Sequence, residues 1–427
     1  MEMKSSGRTC RFLLAVFCTG SLAVAVAGQV RPAPSPTALP DLLAEAVRNN
    51  PGLRATRLQL QAAQASIPAA GAMPDTSVSV QQFTVGSPKP FAGFSNSSFA
   101  YIGLGVEQPL PWPGKRQLRA DVVRRGVDVD RQDVAVNQRQ LLETIRVDYF
   151  QLAAAQQIIA VFQRNRDTLT AIEQAAEGRY RVGQASQQDV LKAQIERTRI
   201  LAQIADERSR VGELEAQLKD TLHRPQSSPD IVAEAVVDRP LSVTLPSLLG
   251  HIGAGNPQLG ERRARAAQAQ AQVTLAKKNF KPDFRVQYMW QHTASQFRDY
   301  YMATLSMNLP NRGRRRAELA QATLNHQEAE AGVEAATDAS RAAVARQYVL
   351  AQNAEQQLRI LDQGLVPQAQ AVFRSALSSY QSARVDFATL MNAFLDLQKV
   401  QIERQQQHAD HESALAHIEA LTGVSLP

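Results

Sequence analysis

Apolar and polar residues alternate with a period of two in four short stretches of the chain, 76–84, 99–108, 283–291 and 300–309. In the third stretch Phe284, Val286, Tyr288 and Trp290 share one face. Arg285, Gln287 and Gln291 share the other, with Met289 as the exception. The second sets Ala100, Ile102, Leu104 and Val106 against Phe99, Tyr101, Gly103, Gly105 and Glu107. The fourth sets Tyr301, Ala303, Leu305, Met307 and Leu309 against Tyr300, Met302, Thr304, Ser306 and Asn308, and the first sets Val78 and Val80 against Ser77, Ser79 and Gln81. These patterns predict strands with one apolar and one polar face. Pro109, Pro111 and Pro113 are expected to stop the second strand, and Pro310 and Gly313 the fourth.

A different period fills most of the remaining chain. Stretches 113–178, 186–223, 313–364 and 367–422 are poor in Gly, Pro and aromatics and rich in Ala, Gln, Glu, Arg and Leu, which predicts very long helices. Leu141, Ile145 and Leu152 keep helical spacing, but Asp148 interrupts it, so close packing with local coiled-coil character is expected rather than one ideal zipper. Sixty-five residues of helix reach about 100 Å. One helix of that length cannot bury its own apolar stripe, so helical partners are required. Shorter helical stretches are expected over 41–67 and 257–280, with Asn50-Pro51 and Asn256-Pro257 reading as caps followed by proline at a first helical turn.

The two halves repeat one plan. Leu110-Pro111-Trp112-Pro113-Gly114-Lys115-Arg116 answers Leu309-Pro310-Asn311-Arg312-Gly313-Arg314-Arg315, and the stretch from Tyr180 to Ser186 answers that from Tyr380 to Asp386. The nearly constant offset indicates a duplication. The chain therefore divides into a first repeat, 41–223, a connecting segment, 224–255, marked by Pro225, Pro229, Pro240 and Pro246, and a second repeat, 256–427.

Composition narrows the class. The 427 residues are 44% hydrophobic and 20% charged, which excludes a wholly disordered chain. Thirteen of the 24 aromatics fall in 83–112 and 280–301, the windows of the strand pairs. Residues 1–27 join a basic start (Lys4, Arg8, Arg11) to an apolar run and Ala25-Val26-Ala27, the pattern of a cleaved export signal. A membrane anchor and lipidation at Cys18 are the alternatives. Both cysteines, Cys10 and Cys18, lie in that segment, so the mature chain holds no disulfide and no thiolate site. Residues 28–40, with Pro32, Pro34, Pro36 and Pro40, are expected to be an extended leader without packed structure.

Candidate chemistry adds little. No Gly-rich phosphate loop follows a strand, no His-Glu-x-x-His motif occurs, and no nucleophile arrangement is present, so neither an enzyme nor a cofactor is expected. His408, His411 and His417 share no clean helical face, and an ordinary solvated surface is the expected reading over a metal site. Met289, Met302 and Met307 are read as strand packing. The net charge of +7 lacks the concentrated patch and aromatic platform of a nucleic-acid binder.

The strands pose a closure problem. Four amphipathic strands fit a transmembrane barrel or an ordinary soluble sheet. In hydrocarbon their open edges would leave backbone groups unpaired at several kcal/mol each. Two copies would supply eight strands and three would supply twelve; three better provide an open lumen. On this reading Phe284, Val286, Tyr288 and Trp290 face lipid. Pro111, Pro113, Gly114, Lys115, Arg116, Pro310 and Gly313 mark the junction between barrel and helices. Lys115, Arg116, Arg314, Arg315 and Arg316 would then meet phosphate headgroups, steer anions, or sit at a wet membrane boundary.

The order of elements and the motif residues resemble the TolC family of outer-membrane efflux proteins over nearly the whole mature chain. Gln108-Pro109-Leu110-Pro111-Trp112-Pro113-Gly114-Lys115-Arg116 is similar to the CzcC/CusC-type branch, which serves tripartite pumps of the resistance–nodulation–division (RND) class, often for heavy-metal cations. Tyr180-x-x-Gly183 followed by Asp189-Val190-Leu191-x-Ala193 also resembles the family.

That resemblance implies a mainly α homotrimer with transmembrane β structure. Its twelve-stranded barrel, four strands per chain, would lie in the outer membrane of a Gram-negative bacterium and continue into a long periplasmic helical barrel. It also implies a periplasmic adaptor, an inner-membrane RND transporter and outer-membrane lipid as partners, and an equatorial collar at the connecting segment. Val182, Gly183, Ala185 and Ser186 would form an adaptor-docking tip. Ala383, Asp386, Thr389 and Asn392 would form a second tip and entrance, where related channels often carry acidic residues. A periplasmic coiled-coil scaffold, and a related channel for drugs or for type I protein secretion, are the alternative functions.

Overall fold

The computed structural model describes residues 36–83, 100–234, 239–293 and 299–426. The expected export signal and the loops joining each strand pair lie outside them. The element order is α1 (Leu39–Asn49), α2 (Pro51–Gly71), β1 (Ser77–Phe83), β2 (Tyr101–Leu110), α3 (Lys115–Arg181) and α4 (Gln187–Thr221). It continues with α5 (Leu245–Gly255), α6 (Pro257–Lys278), β3 (Asp283–Thr293), β4 (Asp299–Asn308), α7 (Arg312–Ile360), α8 (Val366–Gln381) and α9 (Phe387–Thr422). Among these helices none is long and apolar enough to cross a membrane, which leaves the strands as the elements to consider for that role.

Both Asn-Pro pairs do what their chemistry suggests. Asn50 Oδ1 accepts from Leu53 N at 2.9 Å, and Asn256 Oδ1 accepts from Gln258 N and Leu259 N at 2.9 and 3.2 Å. Each asparagine also ends the helix before it, so α1–α2 and α5–α6 are matching broken pairs. Helix α5 thus occupies part of the segment expected to be a connector. The expected leader is also packed at its end, because Thr37 N donates to Val232 O at 2.8 Å and Tyr149 Oη donates to Thr37 O at 2.9 Å.

The expected break in the second long helix, between 364 and 367, is not there. Helix α7 runs through a π turn, Leu361–Leu365, directly into α8, and the chain reverses only at 382–386. Pro367 has no N–H and its ring would clash with the preceding turn of an α-helix. The wider π turn absorbs it, with Val366 N bonded to Leu361 O. Leu361 is fully buried, and Asp362 in the turn pairs with Arg404 of α9.

The described strands form one antiparallel sheet in the order β1-β2-β3-β4, each within two residues of its expected ends. Register places Val80, Leu104, Trp290 and Tyr301 in line, then Val78, Val106, Tyr288 and Ala303. Pro109 lies inside β2, not after it. Strand β1 pairs only as far as Glu107, so β2 beyond that point has a vacant flank on which proline needs no ladder partner.

Three apolar clusters hold the helices together. One joins α3, α4, α8 and α9 near the helix turns through Ile158, Phe162, Ile172, Ile200, Tyr380 and Phe394. The others sit where the short helices dock: Leu42, Ile145, Leu152 and Leu218 beneath α1, and Leu248, Ile252, Val344 and Ile418 beneath α5.

Candidate functional site

The sheet leaves its apolar face exposed. Val78, Leu305 and Leu309 are 67%, 71% and 75% exposed, and Val80, Leu104, Val106, Val286, Tyr288, Tyr301 and Met307 are also exposed. Register puts the strand residues of this set on one face with Phe284 and Trp290. The opposite face carries Ser77, Ser79, Gln81, Glu107, Arg285, Gln287, Thr304 and Ser306, with Arg285 Nε 3.0 Å from Glu107 Oε1. Tyr288 lies beside Tyr301, and Trp290 Nε1 donates to Asp299 Oδ1 at 3.0 Å. A continuous apolar face of this extent is not left to water by a water-soluble monomer.

At the junction with the helices, Gly114 takes a left-handed φ of +88° and starts α3. Lys115 does not meet headgroups or anions. It is 2% exposed, and its Nζ donates to Lys281 O at 2.7 Å and to Asp283 Oδ1 at 2.9 Å. Asp283 Oδ1 also accepts from Trp112 N at 2.8 Å, so one carboxylate ties the end of β2 to the start of β3. The burial follows from position: residue 115 starts α3 against the α6–β3 link, where its amine finds both acceptors. In the second half Asn311 caps α7 by accepting from Arg314 N at 3.1 Å, so Gly313 lies within the first helical turn and does not itself end the strand. Arg314 and Arg315 both bind Glu318.

The two helix turns share one backbone solution. Gly183 N donates to Tyr180 O and Gln184 N to Arg179 O, at 2.9 and 2.8 Å. Ala383 N and Arg384 N do the same to Tyr380 O and Ser379 O, at 3.0 and 2.8 Å. This double closure needs a left-handed residue, Gly183 at φ +74° and Ala383 at φ +59°. A Cβ on Gly183 would meet nothing within 4 Å, so backbone conformation, not bulk, is what glycine supplies there. Alanine bears a cost of about 1 kcal/mol in that region. Ala383→Gly is therefore expected to slow amide hydrogen exchange of residues 378–386 several-fold while 178–186 stay unchanged; faster exchange would contradict this account.

Beyond the turns, Ser186 and Asp189 form a reciprocal cap at the start of α4, at 3.3 and 3.2 Å. Asp386 accepts from Thr389 N at 2.9 Å at the start of α9. Hydrogen bonds from Thr389 hold the Asp386 carboxyl below the usual carboxylate range. Val182, Gly183 and Ser186 are exposed and Ala185 is half-buried. Sequence reasoning passed over two residues here. Arg179 stacks 4.4 Å from the Tyr380 ring and binds Tyr380 O and Gln184 O, clamping the two turns together. Asp396 continues the exposed stripe of α9 that carries Thr389 and Asn392, one turn further on.

His408 and His411 are buried, which overturns their reading as a solvated surface. His411 Nδ1 lies 3.7 Å from Glu412 Oε1, and Arg239 Nε donates to Glu412 Oε2 at 2.8 Å. Arg239 also approaches Glu419, which pairs with Arg146, and His417 Nδ1 lies 2.5 Å from Glu143 Oε1. No group of three or more His, Cys, Asp and Glu among the described residues is placed to hold a metal ion.

With an exposed apolar sheet face and paired long helices in view, comparison with known proteins decides the class. The Outer membrane efflux protein family matches residues 42–222 and 248–424. The chain belongs to this family. Its members are channels, not enzymes, located in the outer membrane with a periplasmic helical extension. The second matched segment begins inside α5, as the paired broken helices require.

Solved structures agree on the fold. The outer-membrane channel OprN superposes with a TM-score of 0.77 at 16% identity, over 91% of this chain and 90% of that one. CusC, described for transmembrane channel formation, gives 0.77 at 17%, over 90% and 92%. VceC from Vibrio cholerae gives 0.75 at 18%, over 91% and 97%. No functionally curated protein matches the chain.

Proposed function

We propose that three copies of this chain close a twelve-stranded barrel and a helical duct beneath it, forming the passive outer-membrane conduit of a tripartite efflux pump. The observation that carries this is the sheet: an exposed apolar face with both outer strands, β1 and β4, lacking a partner on one side among the described residues. Such edges cannot stand in hydrocarbon, and joining β4 of one copy to β1 of the next removes them. Family membership supports the channel role. Reconstituted into planar bilayers, the protein is expected to give discrete conductance steps; a folded, membrane-inserted protein that never conducts under any applied voltage counts against the conduit.

The exposed first turn, Val182, Gly183, Ala185 and Ser186, is the proposed docking surface for a periplasmic adaptor, which in turn joins an inner-membrane RND transporter. Since no side chain crowds Gly183, a bulky substitution there alters the surface at a folding cost of only about 1–2 kcal/mol. Gly183→Trp is expected to weaken adaptor affinity about tenfold or more, a change of at least about 1.4 kcal/mol; unchanged affinity in a folded variant places docking elsewhere. At the entrance, Asp396 is the candidate acidic residue on the α9 stripe, in place of Thr389 and Asn392. The stretch 108–116 supports heavy-metal cations as cargo. Export assays in a strain lacking the channel, with divalent cations beside organic drugs, test this, and rescue for drugs alone would reject the metal assignment.

A further inference from the structure

A concentration of positive charge remains at the strand-to-helix junction. Arg116 and Arg119 lie on the first turns of α3, Lys277 and Lys278 end α6, Lys281 lies in the link to β3, and Arg312 begins α7. Among the described residues none of these six has a carboxylate at ion-pair distance. Two junction acids are already engaged, Asp283 by Lys115 and Glu318 by Arg314 and Arg315. The N-terminal amides of α3 and α7 add partial positive charge at the same level.

One chain of contacts fixes which side of the sheet part of this charge occupies. Lys281 Nζ lies 5.9 Å from the Trp112 ring, and Trp112 stacks on Phe284 at 5.8 Å. Phe284 is on the apolar face with Val286 and Tyr288. The apolar face therefore ends in an aromatic ring topped by a lysine, the arrangement of a side chain at the boundary between acyl chains and headgroups. Lys278 lies next to it, its Cε 3.5 Å from where a Cβ on Gly114 would stand. Unpaired cations bordering a lipid-facing surface match phosphodiester anions in charge and in depth.

We propose that this basic corner, centred on Lys277, Lys278, Lys281 and Trp112, binds the phosphate headgroups of anionic phospholipid in the leaflet at the helical end of the barrel. The inference rests on the reading that the sheet spans the membrane. The chain has two tryptophans, so Trp290→Phe leaves Trp112 as the sole reporter. In vesicles of phosphatidylcholine mixed with phosphatidylglycerol, quenching of Trp112 by brominated acyl chains measures the relative association of each lipid. Phosphatidylglycerol is expected to be preferred about threefold or more, less so in about 0.5 M salt. The preference should fall to about one when Lys277, Lys278 and Lys281 are all changed to Gln, with Lys115 kept intact.

Equal quenching by the two lipids in the parent, or a preference that survives the triple substitution, overturns the proposal. So does a triple variant that alters anion permeation without altering lipid preference, because the lysines would then line the lumen. Failure of the membrane reading looks different: neither lipid quenches Trp112 and the folded protein stays out of the vesicles.

Discussion

Gly255→Ala is expected to remove most of the folded protein from the outer membrane. A Cβ on Gly255 would stand 1.8 Å from Thr422 O and 2.8 Å from Thr422 C. Gly423, at φ +75°, faces it in turn, and a Cβ there would lie 2.8 Å from Gly255 O. These obstacles are backbone, so no side-chain rotation relieves them. Relief requires α5 to leave the end of α9, which opens the cluster of Leu248, Ile252, Val344, Leu415 and Ile418. A loss of about 3 kcal/mol or more follows, at the upper end of single-substitution effects. Gly250→Ala on the same helix is the control: nothing lies within 4 Å, so stability should hold or rise by about 0.5–1 kcal/mol. Urea titration of both variants decides, and a Gly255→Ala midpoint equal to the parent's contradicts the close approach.

The second large effect is expected from Arg239→Met. Glu412 is 1% exposed, and burial raises its pKa, but the adjacent His411 and the hydrogen bonds and charge of Arg239 together outweigh burial and hold the carboxyl below the ordinary range. A carboxylate with a lowered folded pKa stabilises fully above its unfolded value, about 4.3, and loses that contribution as pH falls through the folded value. Without Arg239 the desolvated carboxylate keeps only His411 nearby, 3.7 Å away, and about 3 kcal/mol should be lost at pH 7. The pH response should also flatten. Burial is then opposed by His411 alone, so the folded pKa moves back up towards the unfolded one, and the variant should lose less stability than the parent as pH is lowered from about 7 towards 4. Thermal unfolding across that range tests both parts; a variant whose Tm tracks the parent's at every pH removes the pair from the account.

How much could be read from the chain alone differs by element. The strands were legible because Phe284, Val286, Tyr288 and Trp290 carry the imprint of two unlike environments at every second residue, and that imprint needs no knowledge of distant partners. The asparagine caps and the Ser186 cap were legible for the same reason, since each acts within four residues. The continuity of α7 into α8 was not. Gly364 and Pro367 have the local chemistry of a break, and only packing of Leu361 and the Asp362–Arg404 pair, set by α9, keeps the helix running.

Lys115 and the α9 histidines were misread because charge argues for solvent unless a partner is known. Their partners are remote in sequence, Asp283 for Lys115 and Arg239 for Glu412 beside His411. Arg179 escaped notice because the repeat pairs it with Ser379, and its role lies in the difference between halves. It clamps Tyr380, which is buried, whereas the matching Tyr180 is exposed.

The central claim is that the sheet edges of one chain are satisfied by other copies. Native mass spectrometry of the detergent-extracted protein, with detergent stripped in the gas phase, counts those copies directly. A particle of three chains is the result the closure requires. A stable single chain that still inserts into bilayers, with β1 and β4 unpaired to any neighbour, would contradict it.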